Sequence, residues 1–390
     1  MWILLLLSFN LSAQEYIAID VKDFESISLP RLAYSCICSA DIDGDNDVDL
    51  FISGENLRGK SESFLYINNG KDKFTIDGRS SITAVRNGTA DFEDVDNDGD
   101  ADLLVTGFNN SINYPSNVYV TTLYLNDGQG RFAATDNFET MYETSVGFTD
   151  FDLDGDRDVI ISGTTGTANV CKLYVNEGDG DFVASTDIAI HGCDRGAIAI
   201  ADVNADGCED FFITGRKERG RAESEAGLYI NNCEGNYAVA ESEVFVGVYQ
   251  SKARFADLDA DGDQDLLVIG LEGKQPRTML YENDGSGKFS HSSSHSFDDI
   301  HNGDIVIRDL DDDGKLDIML SGHLEKRVPY CETFLNKGNL QFEKYSDYSL
   351  ERQGSSTIHF IDLNYDNLDD IIMTGTSTVN NETKIYLKAK

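Results

Sequence analysis

A nine-residue acidic loop recurs seven times in this chain of 390 residues, and a fold that lacks a matching sevenfold plan cannot accommodate it. The second copy, Asp-Val-Asp-Asn-Asp-Gly-Asp-Ala-Asp, occupies residues 94–102. The first positions are Asp41, Asp94, Asp150, Asp202, Asp257, Asp309 and Asp362, with steps of 53, 56, 52, 55, 52 and 53 residues. Position 3 is Asp43, Asp96, Asp152, Asn204, Asp259, Asp311 and Asn364. Position 5 is Asp45, Asp98, Asp154, Asp206, Asp261, Asp313 and Asp366, and position 9 is Asp49, Asp102, Asp158, Asp210, Asp265, Asp317 and Asp370. Position 6 is Gly or Asn throughout: Asn46, Gly99, Gly155, Gly207, Gly262, Gly314 and Asn367. Position 7 drifts through Asp47, Asp100, Asp156, Cys208, Asp263, Lys315 and Leu368.

Carboxylates about 4 Å apart repel by roughly 1 kcal/mol even in water, so seven such clusters need a compensating charge. Oxygen ligands at positions 1, 3 and 5, a backbone carbonyl at 7 and a later carboxylate form the cage of a hard cation such as Ca²⁺. Gly or Asn at position 6 supplies the positive φ of the sharp turn. A side-chain mixture at position 7 follows if only its carbonyl is used. A helix–loop–helix calcium hand would close with Glu at position 12. Here that position is Val105, inside an apolar β-branched run, so Asp102 is the closing ligand and a strand follows. Up to seven Ca²⁺ are expected.

Each loop is followed by an apolar run ending in Gly, five residues past the last Asp: Gly54, Gly107, Gly163, Gly215, Gly270, Gly322 and Gly375. A variable polar segment leads to strands such as "LYINNGKDKF" and "LYVNEGDGDF", whose Asn/Asp-Gly turns mark hairpins. A fourth short strand begins at the Phe, and a connector leads to a strand such as "GAIAIAD" that enters the next loop. Helical periodicity is absent. Four antiparallel strands in each of seven units predict an all-β, seven-bladed propeller. The last repeat stops at its third strand, "KIYLKAK", so the strand at residues 16–21, "YIAIDV", is expected to complete that blade and close the ring. An open solenoid would leave an unpaired edge.

Residues 1–13, "MWILLLLSFNLSA", read as a secretory signal, and residues 14–390 as the propeller. The apolar run is too short to span a bilayer, and no transmembrane segment is expected elsewhere. Export to the medium, the cell surface or the periplasm follows, where calcium is plentiful enough to fill weak sites. The net charge is −39, and seven divalent cations, adding 14 charges, would leave −25. That balance argues against a nucleic-acid partner. Seven cysteines exclude a complete disulfide framework. Cys36 and Cys38 read as core. Cys208 and Cys233 bracket two consecutive strands, so a hairpin would bring them together; Cys171 and Cys193 form a second candidate pair.

These repeats resemble the FG-GAP/VCBS family, the calcium-loop propeller repeats of integrin α-chain heads and many bacterial surface and secreted proteins. The resemblance covers nearly the whole chain after the signal. It implies ligand side chains at positions 1, 3, 5 and 9 and a carbonyl at 7, in a loop between the first and second strands of each blade. Literal Phe-Gly and Gly-Ala-Pro elements are absent and all seven units carry the loop. The chain is therefore closer to the bacterial type, and integrin function does not transfer.

No Ser/His/Asp order or phosphate loop stands out, and the acidic loops contain no His among the six in the chain. The expectation is a non-catalytic binding or adhesion module with structural calcium. The face opposite the acidic loops is expected to collect Arg58, Lys60, Arg216, Lys217, Arg219, Arg221, Lys274, Arg277, Lys326 and Arg327, with Arg31, Arg86, Arg195, Lys252 and Arg352 from the connectors. Such a face suits an anionic polysaccharide or protein ligand. Tyr142, Tyr249 and His301, with Tyr114, are candidates to stack on sugar rings. Two alternatives stand beside this reading. A polysaccharide-lyase-like enzyme would use His301 or Tyr142 as base beside Arg; a structural subunit of a surface complex would need neither.

Overall fold

The computed structural model describes residues 16–19, 27–70, 73–111, 118–135, 137–186, 190–218, 220–240, 244–292, 296–345, 350–378 and 380–388. Tyr114, Arg219 and the leader at 1–13 lie outside these residues.

The strands form seven four-stranded antiparallel sheets arranged as a closed β-propeller. Blade one consists of Ala33–Ala40, Asp49–Glu55, Ser61–Asn68 and Phe74–Ile76, in that order from the channel to the rim. Blades two to six repeat the plan, with inner strands at Ala90–Glu93, Tyr142–Thr149, Asp194–Ala201, Tyr249–Ala256 and His301–Arg308. Blade seven begins at Gly354–Ile361 and ends at Asn381–Lys388. Its outer strand is Tyr16–Ile19, paired antiparallel from Tyr16 opposite Lys388 to Ile19 opposite Ile385. The inner strands pack round the ring, blade one against blade seven. A 3-10 turn at Glu325–Arg327 is the one helical element among the described residues.

The sequence pattern explains where the core lies. The second strand of each blade is buried on both faces, as its unbroken apolar run requires. The apolar side chains then gather in seven clusters, one between each pair of neighbouring blades. Position 2 of every acidic loop (Ile42, Val95, Phe151, Val203, Leu258, Leu310 and Leu363) is buried there, anchoring the loop to the core.

The Gly that ends each second strand also has a physical cause. Every inner strand starts with a β-bulge or kink whose leading residue has positive φ: Tyr34, Asn87, Glu143, Arg195, Gln250, Asn302 and Ser355, all between 48° and 52°. The next residue is always small: Ser35, Gly88, Thr144, Gly196, Ser251, Gly303 or Ser356. It lies against the second-strand glycine of its own blade. A Cβ on Gly54 would sit 2.9 Å from the Ser35 Cβ, and one on Gly88 would sit 1.8 Å from the Thr106 carbonyl oxygen.

Candidate metal loops and the opposite face

Six of the seven acidic loops are shaped by amide bonds to their own first aspartate. In blade one the Asp41 carboxylate accepts from the amides of Gly44 at 2.9 Å, Asp45 at 3.2 Å and Asn46 at 2.9 Å. In all seven loops the position 5 carboxylate accepts from the position 7 amide, as from Asp47 to Asp45 at 3.0 Å and from Leu368 to Asp366 at 3.0 Å. These bonds turn the chain tightly enough to need two left-handed residues. Position 6 has φ between 64° and 101°, as its Gly or Asn predicts. Position 4 is left-handed as well, although it is Leu153, Ala205, Ala260, Asp312 or Tyr365 in five loops. For a residue with a Cβ that conformation costs roughly 1–2 kcal/mol.

Position 9 is the buried post of the site. Asp49 accepts from the Ile42 amide at 3.0 Å and the Asn68 amide at 2.7 Å, one bond to each carboxylate oxygen. The same pair of bonds reaches Asp102, Asp158, Asp210, Asp265, Asp317 and Asp370. Burial outweighs those donors and pushes the Asp49, Asp102, Asp158 and Asp265 carboxyls up to about 7, and Asp210 and Asp370 to about 6. A neighbouring cation would reverse that direction by favouring the charged form.

The donor set suits a hard cation. Carboxylate oxygens of Asp41, Asp43 and Asp45 lie within 4.8 Å of one another, as do those of Asp94, Asp96 and Asp102, of Asp150, Asp152 and Asp158, and of Asp257, Asp259 and Asp261. One carboxylate oxygen on each of Asp43, Asp94, Asp150 and Asp311 is buried without a hydrogen-bond partner, which is the state a metal ligand would occupy. The position 7 side chains of Asp47, Asp100, Asp263 and Cys208 turn away from the cage towards the turn of the same blade. A Cβ on turn residue Gly70 would touch Asp47, and Gly128 and Gly285 face Asp100 and Asp263 in the same way. In blade four this contact is covalent: Cys208 at position 7 is disulfide-bonded to Cys233 in the turn. The candidate pair Cys171 and Cys193 is not bridged, because the Cys193 sulfur is held by Ser162 at 3.3 Å and the Thr214 carbonyl at 3.5 Å. In loop six the Lys315 ammonium sits 2.5 Å from Asp313 and competes for a cage carboxylate.

On the opposite face, about half of the expected field of cations is paired. Arg86 meets Glu55, Arg195 meets Glu143, Arg216 bonds Asp194 at 2.6 and 2.7 Å, and Lys217 meets Glu225 at 2.9 Å. Arg221, Arg277 and Arg352 pair with Glu218, Glu272 and Glu332. Arg31, Arg58, Lys60, Lys274, Lys326 and Arg327 make no ion pair among the described residues. Lys252 is not on this face. It lies on an inner strand and lines the central channel, a space of about 770 Å³, where burial lowers its pKa.

The aromatic candidates separate in the same way. Tyr142 stands at the channel mouth in a recess of about 450 Å³, with Phe108, Tyr119 and Arg86. Tyr249 is turned aside, its hydroxyl donating to the Gly273 carbonyl at 2.8 Å. His301 is buried against His323, with ring centres 5.7 Å apart, and burial lowers its pKa to about 4.

The FG-GAP-like repeat model matches this chain at residues 41–105, 94–161, 150–213 and 257–320, which together make up more than half of it. The chain belongs to the FG-GAP repeat family. Among proteins with curated descriptions, none matches this FG-GAP chain. Similar solved structures include the Aleuria aurantia lectin in complex with Fucα1-6GlcNAc, at 10% identity and TM-score 0.43 over 82% of this chain and 97% of the lectin. The Dos1 propeller aligns at 8% identity and TM-score 0.47 over 96% and 95% of the two chains. Sucrose-6-phosphate hydrolase from Lactobacillus gasseri aligns at 10% identity and TM-score 0.36, covering 93% and 90%.

Two sets of residues in this FG-GAP chain escaped the sequence reading. The Asn that ends the third strand in blades two to six is more than a turn former: its side-chain amide reaches back to the preceding blade's loop. Asn126 donates to the Ile42 carbonyl at 2.8 Å, Asn176 to Val95 at 2.6 Å, Asn231 to Phe151 at 3.0 Å, Asn283 to Val203 at 2.8 Å and Asn336 to Leu258 at 2.7 Å. Loops one to five are thereby clamped by two blades. The ring of left-handed residues at the channel mouth is the second set. Its signal was present as a small residue six positions before every acidic loop.

Proposed function

We propose that this FG-GAP propeller is an exported, calcium-stabilised module that binds a carbohydrate or protein partner without catalysis, on the face that carries the channel mouth. The observation that carries the binding reading is the ring of seven bulged residues from Tyr34 to Ser355, all of which line the mouth. Strained, non-glycine left-handed residues persist where the surrounding structure over-determines them, which is typical of ligand clamps. β-bulges re-aim side chains in just this way.

Calcium, when bound, would supply the positive charge that lets three or four carboxylates converge. Positions 1, 3, 5 and 9 would hold it with the position 7 carbonyl, while Asp at 9 and Asn of the next blade keep the frame rigid. The partnerless oxygens of Asp43, Asp94, Asp150 and Asp311 support this reading. The Cys208–Cys233 bridge supports an oxidising compartment outside the cytosol. The non-catalytic reading is supported by the lyase candidates themselves. His301 has a pKa near 4, a weak base, and Tyr142 is stacked on Tyr119 with ring centres 4.2 Å apart.

A second reading, an anionic partner, is favoured by the six cations left without carboxylates, Arg31, Arg58, Lys60, Lys274, Lys326 and Arg327. Affinity electrophoresis of the calcium-loaded protein through acidic and neutral polysaccharides, with an assay for new unsaturated ends, separates the possibilities. Retardation without cleavage is expected. New unsaturated ends would overturn the non-catalytic reading, and no retardation by any polymer would remove the carbohydrate partner.

A further inference from the structure

Resting on the binding-module reading, we infer that the recess between blades two, three and four is a site for a neutral sugar residue. Its volume of about 450 Å³ lies within the usual ~300–1,000 Å³ of small-ligand sites. One wall is aromatic. Tyr119 and Tyr142 stack at 4.2 Å and 18°, and Phe108 stands 6.2 Å from both, tilted by 46° and 53°. Such a corner offers ring faces to the aliphatic C–H face of a pyranose.

The other wall is a lattice of guanidinium and carboxylate groups. The Glu143 carboxylate lies between Arg195 and Arg216, the second contact at 3.4 Å, and Arg216 is held bidentately by Asp194. Arg86 pairs with Glu55 and lies over the Phe108 ring at 5.2 Å. Three guanidinium charges therefore meet three carboxylate charges, and the recess carries no net charge to attract an anion. A uronate or sulfate would have to displace Glu143 or stand beside it, inside a protein of net charge −39.

Neutral hydroxyls meet the opposite situation. Each carboxylate oxygen keeps a lone pair for an O–H donor, and each guanidinium keeps N–H donors for a hydroxyl oxygen. The Arg86 side chain lines the recess, and its Nε is buried with no hydrogen-bond partner. The wall is also pre-set. Asn87, Glu143 and Arg195, all lining the recess, have φ of 50°, 52° and 50°, fixed by bulges that pack against the second strands.

The test uses the full calcium-loaded chain and free monosaccharides, with saturation-transfer NMR and calorimetric titration. Neutral hexoses, deoxyhexoses and N-acetylhexosamines are compared with glucuronate and galacturonate. At least one neutral sugar is expected to bind at least tenfold more tightly than either uronate. Tyr119→Ala is expected to weaken it at least tenfold, Tyr119→Phe to retain it, and Glu143→Gln, which keeps the side-chain size, to weaken it at least fivefold. Binding of uronates alone would overturn the neutral-sugar inference and leave the module reading standing, as would neutral-sugar binding unchanged by Tyr119→Ala and Glu143→Gln. Absence of binding to any sugar or polymer would overturn the neutral-sugar inference and leave only a protein partner for the module.

Discussion

At the scale of single residues, aspartates of one loop play two physical parts. Asp98 is exposed at position 5, whereas Asp102 is buried and accepts backbone amides from Val95 and Asn126. Asp98→Asn should leave the melting temperature in chelator unchanged and lower it only with calcium present. Asp102→Asn should cost about 2 kcal/mol in both conditions, because the new amide faces a backbone N–H it cannot accept. Thermal scans of both variants, with and without EGTA, check the distinction. His359 supplies a pH test. In an unfolded chain it titrates near 6.5. In the fold burial, with a smaller push from Arg308, lowers it to about 4, outweighing the nearby Asp304 and Asp369. The fold holds the neutral ring, bonded to Ser39 at 2.8 Å, so its contribution is complete above 6.5 and is lost as pH falls through 4. The loss should be on the order of 3 kcal/mol, and urea midpoints of wild type minus His359→Gln across pH 7 to 4 should reveal it.

At the scale of elements, the fit between bulge and second strand sets the channel mouth. Gly303→Ala would place a Cβ 1.9 Å from the Ser321 carbonyl oxygen, so the bulge must open. A cost of about 3 kcal/mol is expected, at the upper end of overpacking, with a lowered urea midpoint as the readout. Gly44→Ala meets nothing within 4 Å and should cost only the left-handed strain, about 1 kcal/mol. The Asn clamp couples neighbouring blades. Asn176→Ala frees the Val95 carbonyl of loop two, so a calcium titration of the variant should show one site weakened while the total number of sites is kept. Cys233→Ser opens a bridge across 25 residues and should cost about 2–4 kcal/mol under oxidising conditions.

At the scale of the whole molecule, seven acidic loops lie on one face of a ring with net charge −39. Chelation should lower the melting temperature by many degrees, and sodium chloride should restore part of the loss by screening. Each occupied loop adds about 2.7 kcal/mol at calcium a hundredfold above its Kd. Calorimetric scans over a calcium series read this directly, and a melting temperature indifferent to calcium would remove the metal from the account. Ring closure is the second whole-molecule property. Deleting residues 1–26 removes the partner of Asn381–Lys388 and exposes a strand edge, so light scattering should detect self-association.

Much of this was legible in the chain because the repeat is local. The loop repeat, strand order, blade number and the Cys208–Cys233 pairing all follow from spacing within about 55 residues, whereas the closing strand at Tyr16 pairs across the length of the chain with Lys388. A nine-residue loop and a hairpin carry their geometry in their own residues. What the ring brings together is another matter. Arg216 meets Glu143 across 73 positions, Asn283 meets Val203 across 80, and Lys252 faces Asp91 and Asp304 from different blades. A count of lysines and arginines on loops cannot distinguish a charge in solvent from one held against a carboxylate of the next blade. Composition set the electrostatic potential of the chain as a whole. Only the closed ring decided where that potential cancels, and it cancels in the recess beside Tyr142, where burial makes an unpaired guanidinium too costly.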